Sequence, residues 1–403
     1  MNCIRFFFLL NWFLTFNFTY AQQSRLWDEY VNLNGQAASF PSYELVHLSP
    51  QTPEGIQPGI AVQKWAYYNL QPAQMKDLLA ARPKTLRFQL QDLDGNPLTL
   101  MLIRQELFGV ESRLLRSDGA EATVLNSDGL FYRGVVAEYP GSLTAMSFFQ
   151  DEIIGVVSLP HLGNLVFGKL EGLGNEPEES ISHIFYADKD LLQKPEFHCG
   201  APDAAPLAAI SPDTIYTNRC KTVKLFLECD YKLYQDKNRS VTNVKNYMTG
   251  LFNVIKTLYF NEEINMEISD IMVWTTQDPF LHSDLASILY NYSAYRQNNF
   301  TGNLAQLVTT YAPQQQGGIA FLGTLCQPYN GQAGPHSFAY IYNSYSQLPT
   351  YAWSVEVMTH ELGHNLGSPH THACFWGPTR NQALDNCQPP ENNACANGPT
   401  PTN

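Results

Sequence analysis

The chain has 403 residues, of which 44% are apolar and only 15% charged, with a formal net charge of −13. That is enough apolar material for two or three cored domains and argues against a disordered chain. The acidic balance argues against nucleic acid or an anionic membrane surface as a partner, since both call for a basic face.

The chain opens MNCIRFFFLLNWFLTFNFTYAQQSRLW, with Arg5 ahead of a mostly apolar run from Phe6 to Phe18 and a small residue, Ala21, before Gln22. This order of charge, apolar run and small residue is that of a secretory signal, residues 1–21, and predicts a secreted, extracellular protein. The run is too short for a membrane span and is interrupted by Asn11 and Asn17; no later stretch is apolar enough to span either.

Residues 22–199 alternate apolar and polar positions between turn signals and predict a mostly β domain. LRFQLQDLDGNPLTLMLI (86–103) reads as two strands around Asp94-Gly95-Asn96-Pro97, and residues 131–172 as several more. His47, His161 and His183 are scattered through this region and read as structural or exposed. Residues 200–219, rich in Ala and Pro at their start, read as a linker. From 220 to 403 the pattern becomes mixed α and β. KTVKLFLECDYKLY (221–234) reads as a strand, and SVTNVKNYMTGLFNVIKTLYF (240–260) as a helix capped by Ser240. INMEISDIMVW (264–274) alternates as a strand, and 281–297 has helical spacing. Three short strands follow at 304–310, 318–322 and 337–342, then a last helix from about Ala352 to Leu366.

That helix carries HELGHNLGSPH, residues 360–370. His360 and His364 are four apart, so both imidazoles lie on one face and can reach one ion. Val355, Met358, Leu362 and Leu366 line the opposite side and predict its core contact. Glu361 is rotated by about 100° from His360 and can approach the ion's open position without being a ligand. Gly367 allows the left-handed turn that stops the helix, and the chain comes back to His370, favoured over His372 as the third ligand by its offset. Three neutral imidazoles leave one position of a tetrahedral zinc ion open for water, and a carboxylate beside it serves as general base.

HELGHNLGSPH resembles the extended zinc signature of the metzincin metallopeptidases. With HTHACFWG following, the chain is most similar to the reprolysin or adamalysin branch, in a bacterial secreted form. The resemblance implies zinc ligands at His360, His364 and His370, a catalytic base at Glu361, and protein or peptide substrates. It implies an α/β (α+β) catalytic domain over 220–403 whose mixed twisted sheet lies above the zinc helix, preceded by a mostly β propeptide over 22–199. It also implies an edge strand that takes substrate as an added antiparallel strand, for which Gly317 to Leu322 is the candidate. Two departures stand out. Thr371 follows the third histidine where many reprolysins have Asp. The family's methionine turn has no counterpart, because the last methionine is Met358; the expectation is a catalytic domain cut short at its C-terminus.

Cys3 leaves with the signal, so seven cysteines remain: 199, 220, 229, 326, 374, 387 and 395. The count is odd. Cys199-Gly200-Ala201-Pro202-Asp203 is similar to the cysteine switch of matrix metallopeptidases, in which a thiolate fills zinc's open position and holds the enzyme latent. The alternative is a disulfide from Cys199, for instance to Cys220. The other six are expected in disulfides. A switch implies an activating protease that cuts within 200–219. The sequence thus predicts a secreted zinc endopeptidase made as a latent precursor. The competing reading is an exported binding or adhesion protein with a structural zinc domain, against which Glu361 speaks, because a structural site has no use for a base.

Overall fold

The protein is described by a computed structural model covering residues 24–33, 39–53, 58–125, 128–170, 182–193, 197–201, 222–280, 283–312, 316–342, 348–377, 379, 381–386, 389–390 and 395–399. The signal segment and nearly all of the 200–219 linker lie outside these residues, as do Cys220 and Cys387.

The elements run in chain order α1 (Arg25–Leu33), β1 (Val46–Ser49), β2 (Trp65–Leu70), α2 (Pro72–Ala81), β3 (Thr85–Gln91), β4 (Pro97–Arg104), β5 (Phe108–Arg116), β6 (Thr123–Val124), β7 (Leu130–Val136), β8 (Tyr139–Phe148), β9 (Ile153–Leu159), β10 (Gly163–Lys169) and β11 (Ser182–Ala187). There follow β12 (His198–Cys199), β13 (Val223–Cys229), α3 (Tyr231–Asp236), α4 (Val241–Asn261), β14 (Met266–Val273), α5 (Leu285–Arg296), β15 (Leu304–Thr309), β16 (Gly317–Ala320), β17 (His336–Tyr340) and α6 (Tyr351–Leu366). The fold is mixed α and β. Among the described residues no helix is long and apolar enough to cross a membrane.

Local chemistry accounts for several of these elements. In the β3–β4 turn the Asp92 carboxylate accepts the amides of Asp94 and Asn96, each at 2.8 Å, and Gly95 takes φ +87°. Ser240 accepts the Asn243 amide at 3.2 Å and caps α4, whose Val244, Met248, Leu251 and Ile255 are fully buried. The strand expected over 221–234 stops at Cys229. There the Asp230 carboxylate accepts the Leu233 amide at 2.8 Å, and this cap starts α3 instead. His183 is buried and accepts the Ile153 amide through Nε2 at 3.0 Å, while His47 and His161 are exposed.

Two sheets are built. The first has nine antiparallel strands in the order β1-β2-β11-β10-β9-β8-β7-β4-β3. The second runs β12-β16-β17-β15-β13-β14-β5-β6. Its members from β17 to β5 are parallel, while β16 runs antiparallel to β17. Both ends of this second sheet come from the N-terminal region: β5 pairs with β14, and β12 pairs with β16. Helix α4 packs on β7, β8 and β9 of the first sheet and on β14 of the second; α6 packs on β16 and β17 and also touches β9 and β10. The two helices therefore lie between the sheets, and one continuous core includes Phe131, Ile154 and Tyr186 together with Met248, Leu251 and Met358.

Candidate metal centre

The centre is built around α6. Val355, Met358 and Leu362 anchor this helix in the core, with Leu366 half-buried against it. The opposite face presents His360 and His364, whose Nε2 atoms lie 3.0 Å apart. Gly367 ends the helix at φ +103° with its amide on the His364 carbonyl, and the Ser368 amide closes back on the Gly363 carbonyl. The Ser368 carbonyl then sits 2.7 Å from Nδ1 of His364. A carbonyl at that distance calls for a proton on Nδ1, which leaves the Nε2 lone pair facing the other histidines. The turn brings the His370 ring to 4.7 Å from that of His364 and 5.4 Å from that of His360. Trp376 Nε1 donates to the His370 carbonyl at 2.7 Å, and a Cys374–Cys395 disulfide ties down the loop beyond.

The fourth member comes from the N-terminal region. Cys199 Sγ lies 3.3 Å from Nε2 of His364, and one donor atom from each of Cys199, His360, His364 and His370 falls within 4.8 Å of the others. His372 stacks on His370 with ring centroids 5.0 Å apart and is not one of the four. The Ala201 amide points at the Cys199 sulfur from 3.4 Å, a contact that favours its thiolate. Burial, followed by the neighbouring imidazoles, pushes His360 down to about 3, so its ring is neutral and its lone pair available.

Glu361 is completely buried on the flank of this cluster. Its Oε2 is 4.0 Å from the Cys199 sulfur, and its Oε1 has no hydrogen-bond partner among the described residues. Burial holds this carboxyl well above the usual range. Such a group calls for a nearby positive charge. Three imidazole nitrogens and a thiolate are a typical donor set for tetrahedral zinc. The residues present therefore fit a divalent metal ion.

Cys199 is delivered by β12, which lies parallel to β16: the His198 amide donates to the Gln316 carbonyl at 2.8 Å and the Gly200 amide to the Gly318 carbonyl at 2.9 Å. Two adjacent glycines make this approach possible. Gly317 has φ +143°, and a Cβ there would stand 2.0 Å from the His198 carbonyl oxygen; a Cβ on Gly318 would stand 2.5 Å from Cγ of Glu361. Phe197 packs edge-on against the His360 ring at 4.8 Å.

Two expectations need correction. The strand at 317–320 is not an open edge. It is paired on both sides, and its outer neighbour β12 runs parallel where a substrate was expected to run antiparallel. The six cysteines other than Cys199 do not all form disulfides: Cys229 is buried reduced in β13 and Cys326 is exposed and reduced. A small thiol packs in a strand like any apolar side chain, so a count of cysteines does not predict its bonding. Asn365 escaped notice in the sequence. Its Nδ2 donates to the carbonyls of Phe321 (2.9 Å) and His336 (3.0 Å), fixing the end of α6 to the second sheet. Its only signal was a polar residue on the apolar side of an amphipathic helix.

Comparison with known proteins agrees with this geometry. Residues 219–401 match the Reprolysin_5 model, described as Metallo-peptidase family M12. The C-terminal region is thus similar to the metallopeptidases of that family. Among curated proteins, human disintegrin and metalloproteinase domain-containing protein 9 is 26% identical over 265 residues, which is 59% of this chain and 30% of that protein, so the chain spans under a third of its length. Among solved structures, metalloproteinase-II from Bacteroides fragilis aligns with TM-score 0.41 and 10% identity, covering 73% of this chain and 85% of that one. A chaperone–substrate complex aligns with TM-score 0.28 and 11% identity, over 58% of this chain and 30% of that one. Scores this low add nothing about the present fold.

Proposed function

We propose that the protein is a secreted zinc endopeptidase made as a latent precursor, with residues 22–199 as its propeptide, His360, His364 and His370 as zinc ligands, and Cys199 as the fourth ligand of the latent form. The observation that carries this reading is the convergence of a thiol from the N-terminal region on three imidazoles of the metallopeptidase domain, with donor atoms within 4.8 Å of one another. When bound, zinc supplies the Lewis acidity that polarises a peptide carbonyl and acidifies water. The chain's own residues do the rest. Ser368 holds the His364 ring by its Nδ1 proton, keeping the ring oriented through the reaction. Glu361, with one oxygen lacking a partner, takes a proton from the attacking water and returns it to the leaving amine. In the latent form, Cys199 and the β12 backbone fill the place a substrate would take along β16. Cleavage within 200–219 by another protease would start activation, and the signal at 1–21 carries the reading of an extracellular protein.

Hydrolysis of a casein-type substrate by activated wild type and Glu361→Ala, with zinc measured in both, tests the reading. The expected result is unchanged zinc and a rate lowered by about 10²–10⁴-fold, the usual contribution of a general base. Equal cleavage by the two proteins would sink it.

A further inference from the structure

The N-terminal region meets the metallopeptidase domain at more than the metal centre. Strand β5 lies next to the end of the second sheet, with only the two-residue β6 outside it, and is paired in parallel with β14 from Phe108 opposite Ile268 to Arg116 opposite Val273. Side chains reinforce the ladder. Arg113 Nη2 donates to Oδ2 of Asp270 at 2.9 Å and its amide to Oδ1 at 2.8 Å, while the Asp270 side chain is only 2% exposed. Ser112 Oγ donates to the Ile268 carbonyl at 2.6 Å. Beyond the strand end, Ser117 Oγ accepts the amides of Thr275 and Thr276. Lys256 from α4 donates to the Glu106 carbonyl on one side of this junction and the Met266 carbonyl on the other.

A second junction lies between α4 and the first sheet. Asn253 is fully buried; its Nδ2 donates to the carbonyls of Tyr132 and Met146, and its Oδ1 accepts from Gln105. A Cβ on Gly250 would stand 2.6 Å from Ile154, so helix and sheet are in close contact there. Against all this, β12 pairs over two residues.

From this imbalance we infer that the β5–β14 junction and the α4 face form a docking surface whose partner is the chain's own N-terminal fragment, so that one cut within 200–219 leaves the fragment bound and Cys199 seated. The inference rests on the proposal that this region is where activation begins. Hydrolysis of one peptide bond there removes none of the contacts named above. Separation would leave a row of β14 backbone groups unpaired, strip Asp270 of its guanidinium partner, and expose the apolar face of α4. Release of activity therefore requires a second event, such as digestion of the N-terminal fragment itself.

The test uses the full chain with a recognition sequence for a site-specific protease placed between Pro202 and Lys221. After complete cutting, the two fragments should elute together in gel filtration at micromolar concentration, and β14 amides should exchange hydrogen as slowly as in the uncut protein. Arg113→Glu, which sets a carboxylate against Asp270, should weaken the cut complex at least 100-fold. Fragments that part on cutting, or β14 amides that become unprotected while the pieces remain in solution, overturn the inference. If the variant does not fold, the exchange measurement on cut wild type decides alone. Peptide hydrolysis by the C-terminal fragment, once stripped of its partner in urea and returned to zinc-containing buffer, reports separately on the peptidase reading: co-elution stands whether or not that fragment cleaves.

Discussion

The two ends of the second sheet are both closed by strands from the N-terminal region, yet they differ in kind. At the β16 end, β12 contributes two paired residues and one thiol, held over a glycine pair. At the β14 end, β5 contributes a nine-residue strand, a guanidinium on a buried carboxylate, and continuity with the shared core. Under the latency proposed above, the short end occupies the metal centre and the long end supplies the adhesion. A contact that blocks a metal site need not be strong when a remote interface keeps its local concentration high.

Four substitutions probe this division, ordered by their effect on the stability of the uncut chain. Leu251→Ala, in the core that joins the two regions, should cost about 2–5 kcal/mol in urea denaturation, as for other buried leucines. A much smaller loss would mean the joint core is loosely packed. His336, in β17 between the two ends, is buried against Tyr292, Phe300 and Tyr329, and burial pushes it down to about 4 from 6.5. The unfolded chain therefore takes up this proton first. Stability falls as pH drops from 6.5 toward 4, by about 3 kcal/mol at 1.36 kcal/mol per unit, and levels off below. Denaturation of metal-free protein at pH 7 and pH 4 should show a loss of stability to which His360 adds in the same direction, and His336→Phe should remove the His336 share of about 3 kcal/mol. Asn253→Ala leaves carbonyls of Tyr132 and Met146 without their donor and should cost about 1–3 kcal/mol. Cys199→Ala, at the short end, should change stability by under about 1 kcal/mol in metal-free protein, yet raise peptide hydrolysis by the uncut chain. An unchanged low rate would show that the β12 backbone, not the thiol, blocks the site.

Features encoded over a few residues were legible in the sequence. The spacing of His360, His364, Gly367 and His370 predicted a convergence that the geometry contains, because a helix turn and a glycine stop are local matters. Ser240 as a cap and the Asp94-Gly95 turn were legible for the same reason. Cys199 was singled out by its short motif, but the odd cysteine count that seemed to support it was no guide, since Cys229 and Cys326 are reduced too. Nothing in Phe108–Arg116 indicated which sheet it would join. An alternating strand reads the same in either, and its partner Asp270 is 157 residues away from Arg113. The outward side of β16 was misjudged because an edge is a property of the assembled sheet and not of GGIA itself.

That separation of 157 residues has a consequence for how the molecule is made. During translation β5 leaves the ribosome long before the strand it borders, and long before the helix bearing the histidines. The rim of the sheet is thus synthesised ahead of its middle, and pairing so distant in the chain slows folding through the entropy of closing the loop. The helix bearing the histidines can reach its final setting only when portions from both regions of the polypeptide are present together, so the latency proposed above would be built in as the chain folds rather than added afterwards.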